Sequence, residues 1–105
     1  MEVKQLAIVE VSIVPLGTGS TSLSSYVAGC EKELREHGEG LKYELTAMGT
    51  IIEGDLDRIL AVIRRMHEVP FAHGALRVST SMKIDDRRDK AGSIEQKVKA
   101  VEVKL

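Results

Sequence analysis

The sequence has little of what marks disulfide-bonded, base-stacking or membrane-spanning proteins. Cys30 is its one cysteine, so no disulfide can form within the chain, which suits a reducing cytoplasm. Tryptophan is absent, and the aromatic residues are Tyr26, Tyr43 and Phe71, too few for a base-stacking surface. No apolar run approaches the roughly 20 residues that span a bilayer, and no signal-peptide pattern opens the sequence. We therefore expect a cytoplasmic protein that binds neither nucleic acid nor a membrane.

An excess of either charge sign is also lacking. The 15 Lys and Arg residues nearly balance the 16 Asp and Glu residues, which gives a net charge of −1. Nucleic-acid-binding proteins usually carry a basic surplus, so this balance argues against that function. What the chain does have is 43% hydrophobic residues in a length of 105, enough for one core. We predict a single domain over residues 1–105.

The spacing of apolar residues predicts the first half of the fold. Residues 6–14 alternate between apolar and polar side chains, as expected for a strand with one buried face. An apolar stripe at helical spacing follows over residues 22–37, and the glycines after it end the helix. Its first turn can be capped by any of three hydroxyl side chains, those of Ser20, Thr21 and Ser22. Two short alternating segments between residues 41 and 53 predict an antiparallel pair of strands.

The second half of the chain repeats the helix-then-strand pattern. Asp55 is suited to the N-cap of a helix that Pro70 ends, and residues 76–84 alternate as a strand does. A charged loop follows, and Ser93 with Gln96 has the spacing of a capping box. The short C-terminal helix that begins there has four apolar residues on one face: Ile94, Val98, Val101 and Leu105.

In sequence order these elements form β-α-β-β-α-β plus a C-terminal helix. This is the α+β, ferredoxin-like sandwich, in which two helices cover one face of an antiparallel sheet. Alternation predicts that the helices bury nine strand residues: Val9, Val11, Ile13, Leu41, Tyr43, Leu45, Leu76, Val78 and Met82. The opposite face carries eight polar residues: Glu10, Ser12, Glu44, Thr46, Arg77, Ser79, Ser81 and Lys83. Such a face meets either water, a second subunit or a polar ligand.

The stretch VPLGTGSTSLSSYV joins the first strand to the first helix and is rich in glycine and hydroxyl side chains. It lacks the lysine of the phosphate-binding loop G-x-x-x-x-G-K-[ST]. Ser22 stands where the dinucleotide fingerprint G-x-G-x-x-G has its third glycine. A helix N-terminus can still bind an anion without either motif. The residues alone leave two interpretations open, a turn that caps the helix or a contact with a ligand.

Residues typical of metal or nucleophilic chemistry are few and scattered. His37, His67 and His73 lack the spacing of metal ligands, and no second cysteine accompanies them, so no metal site is predicted. Cys30 lies on the apolar stripe of the first helix, which indicates a buried, inert thiol.

Arg87 and Arg88 in IDDRRDK follow the last predicted strand. Three interpretations stay open: a solvated loop, a phosphate or carboxylate site, and ion pairing between subunits. We expect at least one of these arginines to make a fixed ion pair or anion contact. The reason is that the flanking aspartates, as neighbours in sequence, should rarely fill a guanidinium fork with good geometry.

Three stretches together resemble a family of small thiamine-binding-protein-like proteins: VPLGTGSTSLSSYV, YELTAMGTIIEG and HEVPFAHGALRVSTSMKIDDRRDK. The resemblance runs from about Val9 to the final helix. It implies a ferredoxin-like fold, assembly into dimers or tetramers, and binding of thiamine or its hydroxymethylpyrimidine moiety, without an established catalytic activity. The matching positions that we take as a pocket are Gly17, Thr18, Ser20, Ser22, Met48, Gly49 and Thr50.

The leading hypothesis is therefore a non-catalytic binder of thiamine or a related pyrimidine. Such a ring needs an apolar slot and a few directed polar groups, which hydroxyls and the polarisable Met48 can supply. The alternative is a structural or regulatory homo-oligomer that holds an anion with Arg87 and Arg88 at a subunit interface. No nucleophile–base pair, metal set or cofactor motif emerges, so we do not expect an enzyme.

Overall fold

The computed structural model of the chain describes residues 6–89 and 94–105. These residues form four strands and three helices in the predicted order, β-α-β-β-α-β-α. The elements are β1 (Ala7–Pro15), α1 (Ser24–His37), β2 (Lys42–Leu45), β3 (Thr50–Gly54), α2 (Leu56–Ala72), β4 (Val78–Asp85) and α3 (Ile94–Glu102). Within the described ranges, no helix is long and apolar enough to cross a membrane.

The strands form one antiparallel sheet in the order β2-β3-β1-β4. Val9 in β1 lies opposite Ile52 of β3 and Ile84 of β4, so these side chains share one face. Helices α1 and α2 lie on that face, and α3 is an addition after β4. The α+β, ferredoxin-like arrangement with an extra C-terminal helix is confirmed.

The core lies between the sheet and α2, and α1 contributes little to it. Among the described residues, the buried apolar side chains are Ala7, Val9, Val11, Cys30, Leu34, Ile52, Ile59, Val62, Ile63, Met66 and Val69. Only Cys30 and Leu34 of this set belong to α1. Helix α1 packs mainly against α2 rather than against the strands. Space therefore remains between α1 and the sheet.

Four of the nine strand residues predicted to be buried are largely exposed, so that part of the prediction is wrong. Tyr43 and Leu45 are 40% and 55% exposed, although they lie on the helix face, opposite Ile52 and Thr50. Met82 is also on that face and is 47% exposed. The side-chain alternation was therefore correct, but the helices do not cover the two edge strands. The fourth residue, Leu76, lies before β4 begins and is 95% exposed.

The predicted hydroxyl cap of α1 is wrong. The helix begins at Ser24, and Leu23 occupies the N-cap position without a side-chain hydrogen bond. The hydroxyls bind within the loop instead. Ser20 Oγ accepts from the Ser22 backbone N–H at 3.1 Å, and Thr18 Oγ1 donates to the Ser20 carbonyl at 3.1 Å. The Thr18 and Ser20 hydroxyls therefore pair with backbone groups of the loop itself and not with the first turn of α1.

Helix α2 has the predicted N-cap but continues past its predicted end. Asp55 Oδ2 accepts from the Arg58 backbone N–H at 3.1 Å. Pro70 lies inside the helix, two residues before it ends. Because proline has no N–H, the Met66 carbonyl lacks its usual helical donor. The Cys30 thiol donates to this carbonyl at 3.5 Å, so α1 supplies the missing bond.

The start of α3 is attached to the sheet face opposite α1 and α2. Lys42 Nζ lies 2.8 Å from Glu95 Oε1, and Lys97 pairs with Asp85. The apolar stripe predicted on this helix is mostly exposed, as in Val98, Val101 and Leu105. Ser93, which the sequence assigns to a capping box, lies outside the described residues.

Candidate functional site

A cavity of about 940 Å³ lies between α1 and the sheet, beside the turn that joins β2 to β3. It exists because α1 packs on α2 and leaves the strands below it uncovered. Val11, Ile13 and Leu45 form an apolar floor, and Leu23 and Val27 of α1 face it. Small-molecule sites typically enclose about 300–1,000 Å³ and are mostly apolar, so this cavity has the size and lining of such a site.

A polar pair, of which Thr50 is buried and Glu31 is half-buried, lines this cavity. Thr50 opens β3 on the helix face, opposite Val11, and is only 5% exposed. Its Oγ1 donates to Glu31 Oε1 at 2.6 Å. A short bond to a carboxylate is charge-assisted and fixes the direction of both groups. Because a carboxylate offers about four acceptor positions, Glu31 keeps capacity to accept from a ligand.

The turn between β2 and β3 is held firmly against β1. The N–H and the Oγ1 of Thr46 both bind the Gly49 carbonyl at 2.8 Å, and Thr46 Oγ1 accepts from the Met48 N–H at 3.3 Å. A Cβ atom at Gly49 would lie 2.7 Å from the Val11 carbonyl oxygen, so only glycine allows this approach. The turn therefore holds Met48 at the cavity with its side chain exposed.

Charged side chains of α1 line the mouth of the cavity. Lys32, Arg35 and Glu36 follow Glu31 along the helix, giving two carboxylates and two cations. Lys32 Nζ lies 3.9 Å from Glu36 Oε1, too far for a hydrogen bond. The guanidinium of Arg35 makes no hydrogen bond or ion pair with any residue that the structure describes. The mouth thus holds a guanidinium whose donors face solvent or a ligand.

The Cys30 thiol, which also borders the cavity, is held in its protonated form. Burial is the main reason that its pKa rises from 9.0 to about 11, and the nearby Glu31 and Glu33 carboxylates raise it further. The protonated thiol donates the hydrogen bond that the Met66 carbonyl accepts. Because the thiolate is the nucleophilic form of cysteine, Cys30 is inert at neutral pH.

The cavity brings together three of the seven positions taken from the family resemblance: Met48, Gly49 and Thr50. The other four lie in the loop before α1, outside the cavity lining: Gly17, Thr18, Ser20 and Ser22. Sequence analysis missed Glu31 and Arg35. A signal for Glu31 was available, because it follows Cys30 directly at the border of the apolar stripe of α1. Nothing in the sequence pairs it with Thr50.

Arg87 and Arg88 are paired within the chain. Arg87 Nε and Nη2 donate to the two oxygens of Asp89 at 2.5 and 3.0 Å. Arg88 donates to Asp86 Oδ2 at 3.2 and 2.8 Å. The expectation that sequence neighbours would not fill these forks is therefore wrong. In an extended segment, residues two positions apart point to the same side, which brings each arginine to an aspartate.

The three histidines make individual contacts. His67 Nδ1 lies 2.7 Å from Thr80 Oγ1, and His73 Nδ1 lies 2.8 Å from the Val69 carbonyl. His37 lies 3.6 Å from a Glu33 oxygen. Among residues 6–89 and 94–105, no three His, Cys, Asp or Glu side chains are grouped to hold a metal ion.

Fold and cavity together define an α+β protein of ferredoxin-like fold with a largely apolar cavity of the size that is typical of small-molecule sites. The model of the thiamine-binding protein family matches residues 9–102, so the chain belongs to that family. The UPF0045 protein YqgV of Bacillus subtilis is 48% identical over 98 residues, which cover 91% of this chain and 94% of that protein. A UPF0045 protein of Methanothermobacter thermautotrophicus is 42% identical over 97 residues, 91% of this chain and 96% of that protein.

Solved structures agree with the fold. The crystal structure of a hypothetical protein from Methanocaldococcus jannaschii matches with a TM-score of 0.82 and 42% identity, covering 92% of this chain and 96% of that one. A Thermotoga maritima protein matches with a TM-score of 0.73, covering 91% of this chain and 98% of its own. Its identity is 21%, so that likeness concerns the fold alone.

Proposed function

We propose that this protein binds thiamine or its hydroxymethylpyrimidine moiety in the cavity beneath α1, without catalysing a reaction. The observation that carries the proposal is the Glu31–Thr50 hydrogen bond of 2.6 Å in the lining of a largely apolar cavity. Membership of the thiamine-binding protein family supports the choice of ligand. The Thermotoga maritima protein of the same fold carries a provisional assignment to thiamine biosynthesis or salvage.

The aminopyrimidine ring of this ligand matches the two kinds of surface in the cavity. Its flat faces are apolar and suit the floor formed by Val11, Ile13 and Leu45. Its exocyclic amino group is a donor, and the Glu31 carboxylate accepts from it. Thr50 holds that carboxylate in one orientation, so the acceptor is in position before the ligand arrives.

The positive thiazolium ring of thiamine matches the carboxylates on α1. Glu31 and Glu36 both line the cavity. A cation between them gains Coulomb energy in a region partly shielded from water. The Met48 sulfur, at the turn, gives a polarisable contact to an aromatic ring.

The state of Cys30 supports a binder rather than an enzyme. Its thiol lines the proposed ligand site, yet its pKa of about 11 keeps it protonated. Its proton is also engaged by the Met66 carbonyl. A free, buried thiol further suits a reducing compartment, and on that ground we propose a cytoplasmic location.

Thermal unfolding with added ligand tests the proposal. Thiamine or hydroxymethylpyrimidine should raise the Tm, because a ligand that binds only the folded state stabilises it by mass action, by about 2.7 kcal/mol at a hundred times the Kd. Glu31→Gln should weaken thiamine binding about tenfold, since it removes a charged acceptor. Glu44→Gln is the matched control, because Glu44 is an exposed residue outside the cavity.

The proposal fails if the wild-type Tm does not change with millimolar thiamine or hydroxymethylpyrimidine. It also fails if Glu31→Gln and Glu44→Gln bind thiamine as tightly as the wild type. In the first case the homo-oligomeric scaffold becomes the better account of the protein, and in the second case thiamine binds at a place other than the cavity beneath α1.

We also propose that the chain assembles with itself into a dimer or a tetramer. Its accessible surface is 7462 Å². A monomeric protein of this mass typically exposes about 5,800 Å². Exposed apolar side chains on β4 and α3, such as Met82, Ile84 and Val101, are surface that a second copy would cover.

A further inference from the structure

We propose that the mouth of the cavity recognises a phosphate ester, so that the phosphorylated ligand binds more tightly than the free alcohol. This inference rests on the proposed function, because it concerns the same cavity. The cations at the mouth of the cavity are not used by the pyrimidine ring in the proposed function. The residues that carry it are Arg35 and Lys32 of α1.

Polarity changes along the wall that α1 presents to the cavity. Leu23 and Val27 make the N-terminal part of this wall apolar, and Glu31 follows one turn later. Arg35 lies a further four residues on, which is about 6 Å along the helix axis. A ligand whose amino group meets Glu31 can therefore reach Arg35 with a polar group about 6 Å away along the helix axis.

Arg35 has the chemistry and the freedom to hold a phosphate. It lines the cavity, and no other described residue forms a hydrogen bond or an ion pair with its guanidinium. Its planar guanidinium matches two phosphate oxygens at once. Lys32, whose Nζ is 3.9 Å from Glu36, adds a second cation that is not committed to a short bond. By contrast, the guanidinium groups of Arg87 and Arg88 already donate to aspartates of their own segment.

The balance of charge in the cavity favours a ligand that carries both signs. Glu31 and Glu36 provide two negative charges, and Lys32 and Arg35 provide two positive ones. Free thiamine is a cation and uses only the carboxylates. Thiamine and hydroxymethylpyrimidine each end in a primary alcohol, and a phosphate on that alcohol supplies the anion that the two cations lack. The ligand class is thus a phosphate monoester of an aminopyrimidine alcohol.

Calorimetry with thiamine, thiamine monophosphate and inorganic phosphate tests this inference. In the wild type, thiamine monophosphate should bind about tenfold more tightly than thiamine, the gain expected of a charge-assisted contact. Arg35→Ala should abolish this preference by weakening the binding of thiamine monophosphate about tenfold, whereas the affinity for cationic thiamine should not fall, because a positive charge is removed from the cavity. Alanine is a good helix former, so the variant should fold. Arg77→Ala is the control, because Arg77 is an exposed arginine outside the cavity.

Thiamine binding without a preference for its monophosphate would overturn this inference and leave the proposed function standing. The same holds if Arg35→Ala keeps the preference, or if inorganic phosphate binds as tightly as the monophosphate. Binding of neither thiamine nor its monophosphate would overturn this inference, and it would contradict the proposed function as well if hydroxymethylpyrimidine also leaves the Tm unchanged.

Discussion

Cys30 links the two helices through a bond that a proline makes necessary. Pro70 cannot donate to the Met66 carbonyl, and the thiol of Cys30 does so instead at 3.5 Å. A thiol can donate only while it is protonated. Burial and the neighbouring carboxylates of Glu31 and Glu33 raise the pKa of Cys30 to about 11, which keeps the donor in place at neutral pH.

The stability of the protein should therefore fall in alkaline solution because of Cys30. Between pH 9.0 and about 11 the thiol ionises in the unfolded chain but stays protonated in the folded one. The unfolded state then binds fewer protons, so the free energy of unfolding decreases as the pH rises. This contribution is complete below pH 9.0 and lost at about 11. Denaturant unfolding across this window should show a steeper decline in the wild type than in Cys30→Ala.

Other groups titrate in the same pH range, but they are common to both proteins. The difference between the two curves therefore isolates Cys30. Parallel curves would contradict a raised pKa. Thiol-specific labelling gives a second readout, since the folded wild type should react slowly until the pH approaches 11.

The two long helices begin in different ways. Helix α2 starts with a side-chain cap, in which Asp55 accepts from the Arg58 N–H. Helix α1 starts at Ser24 without one, and it is also the helix that packs less closely on the sheet. Helix α2 supplies most of the helical core residues. The stability of the fold is therefore expected to depend more on α2 than on α1.

Removal of the α2 cap should be costly. Asp55→Ala leaves a backbone N–H in the first turn without its partner and should lower the free energy of unfolding by about 1 kcal/mol. Asp57→Ala is a matched control, because Asp57 lies in the same first turn and loses only its interaction with the helix dipole. Chemical denaturation of both variants measures the difference. Equal losses would show that the cap hydrogen bond adds nothing.

The whole molecule is flat and extended for its length. Its dimensions are 48 × 35 × 19 Å, and its radius of gyration is 15.2 Å. A compact domain of this size has a radius of gyration of about 13 Å. Strand β4 lies at one edge of the sheet, where no other described strand pairs with its outer side, and the apolar residues of α3 are exposed. These features are typical of a chain whose surfaces are covered by other copies.

Light scattering should accordingly return the mass of a dimer or a tetramer. A mass of 11.5 kDa across micromolar concentrations would contradict this prediction. Because Arg87 and Arg88 are paired with aspartates of their own segment, we expect their double replacement by alanine to leave the assembly intact. Exposed pairs of this kind contribute about 0–1 kcal/mol.

The order of the elements could be read from the sequence because it depends on local patterns. Alternation marks each strand, helical spacing marks each helix, and the Asp55 cap is a contact between residues three apart. Thr50 and Met48 could be assigned to a site from a family resemblance over short stretches. All of these signals are contained within about one element of the chain, so no knowledge of tertiary packing is needed to find them.

Tertiary packing decided where the cavity lies. Whether Tyr43 and Leu45 are covered depends on how far α1 stands from the sheet, and that distance is set by the contact of α1 with α2. The hydrogen bond in the cavity likewise joins Glu31 to Thr50, which are 19 residues apart and lie on different elements. Periodicity specifies which side of an element a residue occupies, but only the assembled helices and sheet determine which side chain it meets there.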